Sequence, residues 1–266
     1  MNIINSFADL SQCVPPDKEL HRICRDIDKY SISGLTGFNA ESSAEFAYDY
    51  AWAVKNANLK PGMCVLDTGC GASNLPAYLQ AIGMNVTAID TEFTRYGWGQ
   101  LERDEQKIDT QEINARLQEK YNIRVNYDFG DVCTYGKDQS NSFDRIFSIS
   151  VLEHLGSLEK IIEAFRQEYA LLKPGGWMLA SIDYASLETK EKAFPGCPTF
   201  EDYYGQPLCI LDENSLPTLF ESIEGKLELL GTSDFSSEAF NSSLSRTLLY
   251  RPELWYTAIC LRLIKI

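Results

Sequence analysis

The sequence predicts an α/β fold on a doubly wound, mainly parallel sheet, and three observations carry that expectation. Short apolar runs alternate with stretches of helical period through the middle of the chain, the order that gives a parallel sheet covered on both faces. Two of those runs, Met63-Cys-Val-Leu-Asp67 and Asn85-Val-Thr-Ala-Ile-Asp90, end on an acid and bracket a glycine turn and a helix. Strand, glycine turn, helix, strand is a βαβ unit with a right-handed crossover. Lys173-Pro-Gly-Gly176 then separates a long amphipathic helix from a fifth apolar run.

Taken in order, residues 1–60 read as a helical cap. Leu20, Ile23, Cys24 and Ile27 recur at i, i+3, i+4, i+7 within Asp17 to Tyr30, one face of a helix. A loop with Gly34 and Gly37 precedes a second helix from Ser42 or Ser43 to about Ala57, capped by serine and carrying Phe46, Tyr50 and Val54 on one face. Residues 61–182 form the core: strand 63–67, helix 74–82 with Pro76 in its first turn, strand 85–90, a charged helix 100–121 and a strand 123–127. Strand 143–149, helix 158–172 and strand 177–182 complete it.

Residues 183–225 are an irregular, aromatic-rich lid followed by a helix from about Glu213 to Ile223. Residues 226–266 hold two closing strands, 226–230 and 255–264, joined by a serine-rich loop. With no helix between them, those two strands are expected to pair antiparallel at one edge. There is no internal repeat or low-complexity linker, so 1–266 reads as a single domain.

The 266 residues are 44% hydrophobic and 23% charged, with a formal net charge of −14. No apolar run reaches the ~20 residues of a spanning helix. Met1 to Leu10 has no Lys or Arg, unlike an export signal. The expectation is therefore a cytoplasmic protein with no membrane and no nucleic-acid partner, since phosphate backbones require clustered Lys and Arg. Eight cysteines without a C-x-x-C pair and only two histidines fit free thiols in a reducing compartment and no metal site.

In open α/β sheets ligands bind beyond the carboxyl ends of the strands, where strand order reverses. The first core strand delivers Asp67-Thr-Gly-Cys-Gly71 there, and the second delivers Asp90. Asp90 is placed to accept hydrogen bonds from a ribose diol. Asp67 repels a pyrophosphate but favours a cation, and Asn74 stands where G-x-G-x-x-G needs its last glycine. A sulfonium cofactor therefore fits better than NAD.

Five blocks in order resemble the class I S-adenosylmethionine-dependent methyltransferase family: Val65-Leu-Asp-Thr-Gly-Cys-Gly71, Thr87-Ala-Ile-Asp90, Gly130-Asp-Val132, Phe143-Asp-Arg-Ile146 through Val151-Leu-Glu-His-Leu155, and Leu171-Leu-Lys-Pro-Gly-Gly176. The likeness covers about residues 60 to 182 and extends to the final strands. It implies a Rossmann-like seven-stranded sheet of order 3-2-1-4-5-7-6 with the last strand antiparallel, N-terminal helices and a lid after strand 5. It implies S-adenosylmethionine as cofactor. Asp67, Thr68, Gly69, Cys70 and Gly71 lie around the methionine end, and Asp90 and Thr91 at the ribose. Asp131 and Val132 then lie at the adenine, and Ser150 beneath the cofactor. Ser73 replaces a third glycine of the loop, which holds the turn only at negative φ.

His154 is the candidate general base, with a pKa ordinarily near working pH; the competing role is a structural one at a helix start. The acceptor is expected to be a small molecule or a glycan methylated on oxygen or nitrogen. Its pocket would be roofed by the Gly34–Phe38 loop, the Tyr96–Trp98 turn and the lid, with Tyr184, Tyr203 and Tyr204 as contacts. An aminopropyl transferase on the same scaffold and a non-catalytic binding subunit are the alternatives, and the oligomeric state is not legible.

Overall fold

The computed structural model describes residues 4–7, 17–32, 36, 44–91, 94–95, 106–107, 109–193, 200–201, 207–250 and 256–266. Along the chain these form β1 (Ile4–Phe7), α1 (Lys18–Asp28), α2 (Ala44–Asn56), β2 (Cys64–Thr68), α3 (Leu75–Ala81), β3 (Asn85–Asp90), α4 (Thr110–Tyr121), β4 (Asn126–Phe129) and β5 (Phe143–Ile149). A single-turn helix (Leu152–Leu155), α5 (Leu158–Leu171), β6 (Leu172–Tyr184), α6 (Leu187–Ala193), α7 (Ser215–Ile223), β7 (Leu227–Leu229), β8 (Thr232–Asp234), α8 (Ser237–Tyr250) and β9 (Thr257–Lys265) follow. Two-residue strands also pair outside the main sheet, 94–95 with 106–107 and 200–201 with 207–208.

The main sheet runs β8-β1-β9-β6-β5-β2-β3-β4, with β7 also pairing β9. Strands β4, β3, β2, β5 and β6 are mutually parallel. β9 lies antiparallel to both β6 and β7. Numbered by first appearance in the core, that is the expected order 3-2-1-4-5-7-6. Two strands extend it beyond seven: β1 pairs antiparallel with β9 and parallel with β8.

One face of the sheet buries Val65, Val86, Phe147 and Leu179 under α1, α2, α3 and α4. All four periodic residues of α1, Leu20, Ile23, Cys24 and Ile27, point inward. Asp17 caps that helix by accepting from the amides of Glu19 and Leu20. The other face buries Leu66, Ile146, Met178 and Leu261 beneath Ile161 and Phe165 of α5, Leu219 of α7 and Phe240 of α8. Each such large side chain contributes about 1.5–3 kcal/mol of burial.

Several boundaries differ from expectation. The cap is not wholly helical, because Ile4–Phe7 joins the sheet. α4 begins at Thr110, where Asp109 accepts from the Gln111 amide, and Gln106–Lys107 ahead of it is extended. Lys173-Pro-Gly-Gly176 does not delay the fifth strand: β6 starts at Leu172, its register with β5 shifting between Phe143 and Arg145. Such an irregularity accommodates a proline that cannot donate. The serine-rich stretch expected as a loop forms β8 and α8, so a helix does separate the closing strands. On α2, Tyr48, Ala51, Trp52 and Ala53 are the fully buried side, while Tyr50 and Val54 pack against it; Phe46 lies outside the described side chains. Six cysteines among the described residues are free thiols. Among the described residues no helix is long and apolar enough to cross a membrane.

Candidate functional site

β2 and β3 carry Asp67 and Asp90 to the carboxyl edge of the sheet, and the chain then knits itself together there. The Cys70 amide donates to the Ile89 carbonyl at 3.0 Å, and the Gly130 amide to the Asp90 carbonyl at 3.0 Å. The Gly71 amide donates to Asp90 Oδ2 at 2.8 Å, which draws the first glycine turn onto the second strand's acid.

Both glycines of that turn sit at positive φ, Gly69 at +60° and Gly71 at +50°, conformations that cost an L-residue about 1–2 kcal/mol. They differ in their surroundings. A Cβ on Gly69 would lie 2.4 Å from Val151 Cγ2, whereas a Cβ on Gly71 would meet nothing within 4 Å. Gly71 thus faces open space at the edge. Positive φ among described non-glycine residues is confined to Asn58, Asn122, Asn141 and Ser150, so Ser73 holds the turn in an ordinary conformation.

Asp67 is 2% exposed, and its Oδ2 has no hydrogen-bond partner within the protein. Burial, then the charge of Asp90, holds its carboxyl well above the usual range. A lone buried carboxylate is costly, and a cationic ligand is what relieves it. Burial, then the charge of Asp67, raises the phenol pKa of Tyr50 on α2, so the cap helix closes over this turn.

At the end of β4 Asp131 is exposed, with Oδ1 accepting from the Cys133 amide at 2.8 Å. Its carbonyl accepts from the amides of Thr134 and Tyr135, and Val132 beside it is buried. Thr91, after Asp90, is exposed. Phe129 is paired in register with Asp90 and is 70% exposed. It adds an apolar surface beside Asp131 that sequence reasoning passed over, because a phenylalanine closing a strand reads as core.

β5 ends at Ile149, and Ser150 follows it at φ +55°. Its amide donates to Ser181 Oγ at 3.0 Å and its hydroxyl to Glu153 Oε1 at 2.8 Å. Glu153 is 1% exposed with Oε2 unpartnered. Burial raises its pKa, opposed by the adjacent His154. His154 is exposed on the single-turn helix, its amide donating to the Val151 carbonyl.

Asp67, Thr68, Gly69, Cys70, Gly71, Asp90, Thr91, Asp131, Val132, Ser150 and His154 therefore all stand along one sheet edge. Thr68 points to the opposite face, donating to Glu168 Oε1 of α5 at 2.9 Å. Glu168 is fully buried and its carboxyl is pushed up to about 8 by that burial. Tyr184 also faces away from Asp67, packing edge-on against Phe240 at 5.2 Å. Its position is core packing between β6 and α8 rather than a place beside the glycine turn. Asp183, its neighbour, is on the Asp67 face and 8% exposed. Tyr203, Tyr204, the Gly34–Phe38 loop apart from Thr36, and the Tyr96–Trp98 turn lie outside the described residues. A shallow cavity at the opposite, amino-terminal edge, lined by Cys64, Asn85, Arg124 and Phe143, is remote from these acids.

Residues 44–224 match the methyltransferase domain family. A ubiquinone biosynthesis O-methyltransferase from Paraburkholderia phymatum is 29% identical over 130 residues, 49% of this chain and 48% of that protein. A phosphoethanolamine N-methyltransferase 2 from Caenorhabditis elegans is 31% identical over 126 residues, 47% of this chain and 25% of that protein. The chain thus aligns with half or less of the length of these curated relatives. In architecture it resembles a magnesium protoporphyrin IX methyltransferase from Synechocystis, solved with bound S-adenosylhomocysteine. The TM-score is 0.53 at 16% identity, over 96% of this chain and 97% of that one. With the strand order, the acid-tipped β2 and β3 and the family match in agreement, the chain belongs to the methyltransferase domain family, among the class I S-adenosylmethionine-dependent methyltransferases.

Proposed function

We propose that this protein transfers the methyl group of S-adenosylmethionine to an oxygen or nitrogen of a small organic acceptor or a glycan. The observation that carries the reading is Asp67: a buried carboxylate with an unpartnered oxygen, two residues from the positive-φ Gly69 and four from Gly71, whose missing Cβ leaves open space. That arrangement suits a ligand bearing ammonium and sulfonium charge and repels a diphosphate. Asp90 at the end of β3 suits a ribose diol, and exposed Asp131 with Phe129 suits an adenine amino group and ring face.

The chemistry such a cofactor supplies is a methyl on a sulfonium, displaced in line with a neutral thioether as leaving group. The protein's own task is alignment, and holding the attacking atom about 3 Å away in line is worth several kcal/mol. Gly69, Cys70 and Gly71 shape the turn that holds the cofactor's methionine end. Ser150, braced by Ser181 and Glu153, forms the floor. His154, at the same edge and open to solvent, is the group able to take a proton from a hydroxyl acceptor; a neutral amine would not need it.

The names of the relatives support acceptors of both kinds, one an O-methyltransferase and one an N-methyltransferase. The acid-lined edge favours a neutral or cationic molecule. The test is labelled methyl donor with fractionated metabolites. Label entering a low-mass product, and absent with Asp90→Ala, supports the reading. Label entering only protein or nucleic acid overturns it, and an added aminopropyl group in the product mass would move the reaction to polyamine chemistry. His154→Ala, with cofactor affinity unchanged, is expected to lower turnover of a hydroxyl acceptor on the order of 100-fold.

A further inference from the structure

Glu168 is an acid on the apolar face of α5, in line with Ile161, Ala164, Phe165 and Leu171, and it is fully buried. A carboxyl in such surroundings lowers stability relative to an apolar side chain of the same length. Packing therefore does not account for it. Its one hydrogen-bonded contact does bear on the site: Oε1 accepts from Thr68 Oγ1 at 2.9 Å, while Oε2 has no partner within the protein.

Thr68 stands between Asp67 and Gly69 at the end of β2. Strand alternation puts Asp67 on the face of Val65 and Thr68 on the face of Leu66, beneath α5. The Thr68 hydroxyl also reaches the Phe147 carbonyl at 3.1 Å. One acceptor thus belongs to the neighbouring strand β5 and the other to the helix stacked on the sheet. From Thr68 onward the chain turns. Gly69 lies at φ +60°, the Cys70 amide donates to the Ile89 carbonyl, and the Gly71 amide donates to Asp90 Oδ2. A rotation of the strand end at Thr68 would swing both Asp67 and this turn.

We propose that Glu168 is a positioning residue of this site: through Thr68 it anchors the end of β2 to α5, and so sets the direction of Asp67 and the start of the glycine turn from the opposite face of the sheet. It touches no ligand itself. The anchor stands on contacts within the protein, but the choice of ligand probe rests on the methyltransferase reading.

Glu168→Met keeps the length of the side chain and removes the acceptor, whereas Glu168→Gln keeps an acceptor without the charge. Urea melts give stability, and calorimetric titration with S-adenosylhomocysteine gives affinity. Glu168→Met is expected to be at least as stable as wild type, since the buried carboxyl is gone. It is nevertheless expected to bind S-adenosylhomocysteine roughly three- to tenfold more weakly, the worth of one hydrogen bond. Stability and affinity moving in opposite directions mark a positioning role, because a merely structural residue weakens binding only by unfolding the protein. Glu168→Gln is expected to keep wild-type affinity. A second readout needs no ligand. The Cys70 and Gly71 amides are expected to exchange hydrogen faster in Glu168→Met than in wild type or Glu168→Gln, through local opening that global stability does not set. Glu168→Met with wild-type affinity and exchange overturns the proposal, as does weaker binding only in proportion to lost stability, or a Glu168→Gln that loses as much as Glu168→Met. If Glu168→Met does not fold, Thr68→Val breaks the same bond from the other side, and unchanged exchange at Cys70 and Gly71 in that variant overturns the proposal. If wild type binds no S-adenosylhomocysteine, the methyltransferase reading fails, and exchange at those two amides alone then decides the role of Glu168: faster exchange in Glu168→Met supports it, wild-type rates overturn it.

Discussion

Replacing Gly69 by alanine separates the two reasons the glycine turn exists. The first cost is backbone: φ of +60° costs an alanine about 1–2 kcal/mol. The second is steric. The new Cβ falls 2.4 Å and 2.5 Å from the two γ-methyls of Val151 and 3.0 Å from its Cβ. Valine is stiff about χ1, so the backbone must move, at about 1–3 kcal/mol. Gly69→Ala is therefore expected to lower unfolding free energy by about 2–5 kcal/mol, or roughly 5–15 °C in Tm for a chain of this size. S-adenosylhomocysteine affinity should fall with it, because the turn itself shifts. Val151→Ala removes both close γ-methyls, so the double variant should recover the steric part and keep the backbone part. A double-mutant cycle would read this as a favourable coupling of about 1–3 kcal/mol. Gly71→Ala, with open space around its Cβ, should cost only the backbone part in stability yet weaken the ligand strongly. Urea denaturation and calorimetry measure both quantities. Additive Gly69→Ala and Val151→Ala effects, or equal ligand loss without any stability loss at Gly69, would refute the reasoning.

Two further outcomes follow from the buried acids. Glu168 has its carboxyl raised from the ordinary 4.5 to about 8, so its contribution to stability is fully present below pH 4.5 and lost as pH rises toward and through 8. Over that window the slope approaches about 1.4 kcal/mol per pH unit; Glu168→Gln should flatten it in urea melts, and an unchanged slope contradicts the assignment. Asp67, raised well above the usual range in the free protein, should ionise when a cationic cofactor binds. Binding should therefore release protons, seen as a calorimetric enthalpy that varies with the buffer's ionisation enthalpy, and Asp67→Asn should remove that dependence.

Much of the core was legible because strand ends and glycine turns are local signals. Asp67 and Asp90 each close a short apolar run, and the pairing of β2 with β3 places them at one edge without further information. What stayed hidden was set by tertiary contacts. Ile4–Phe7 has polar residues at its centre and becomes a strand only by pairing with β9 and β8. In α8, Ser243 occupies a buried position between Phe240 and Leu244 and bonds to Thr257 at 2.8 Å. A serine there breaks the apolar period that marks a helix. Glu168 follows Ala164 and Phe165 on the buried face of α5, and an acid in an apolar stripe was the available signal for a buried carboxyl. Asp49 carries the same signal, three residues before Trp52 on α2. Ser150 could not be read as strained, since nothing in its neighbours requires φ +55°. Tyr184 read as a lid contact because it follows the fifth strand; alternation along β6 instead turns it to the α8 side.

The most direct test is calorimetric titration of the purified protein with S-adenosylmethionine, S-adenosylhomocysteine and NAD, alongside Asp67→Asn and Asp90→Ala. The account predicts one-site binding of both sulfur cofactors, no binding of NAD, and affinity lost by at least tenfold in each variant, as removal of one charged partner entails. Binding of NAD in place of the sulfur cofactors, or sulfur-cofactor binding indifferent to both acids, would contradict it.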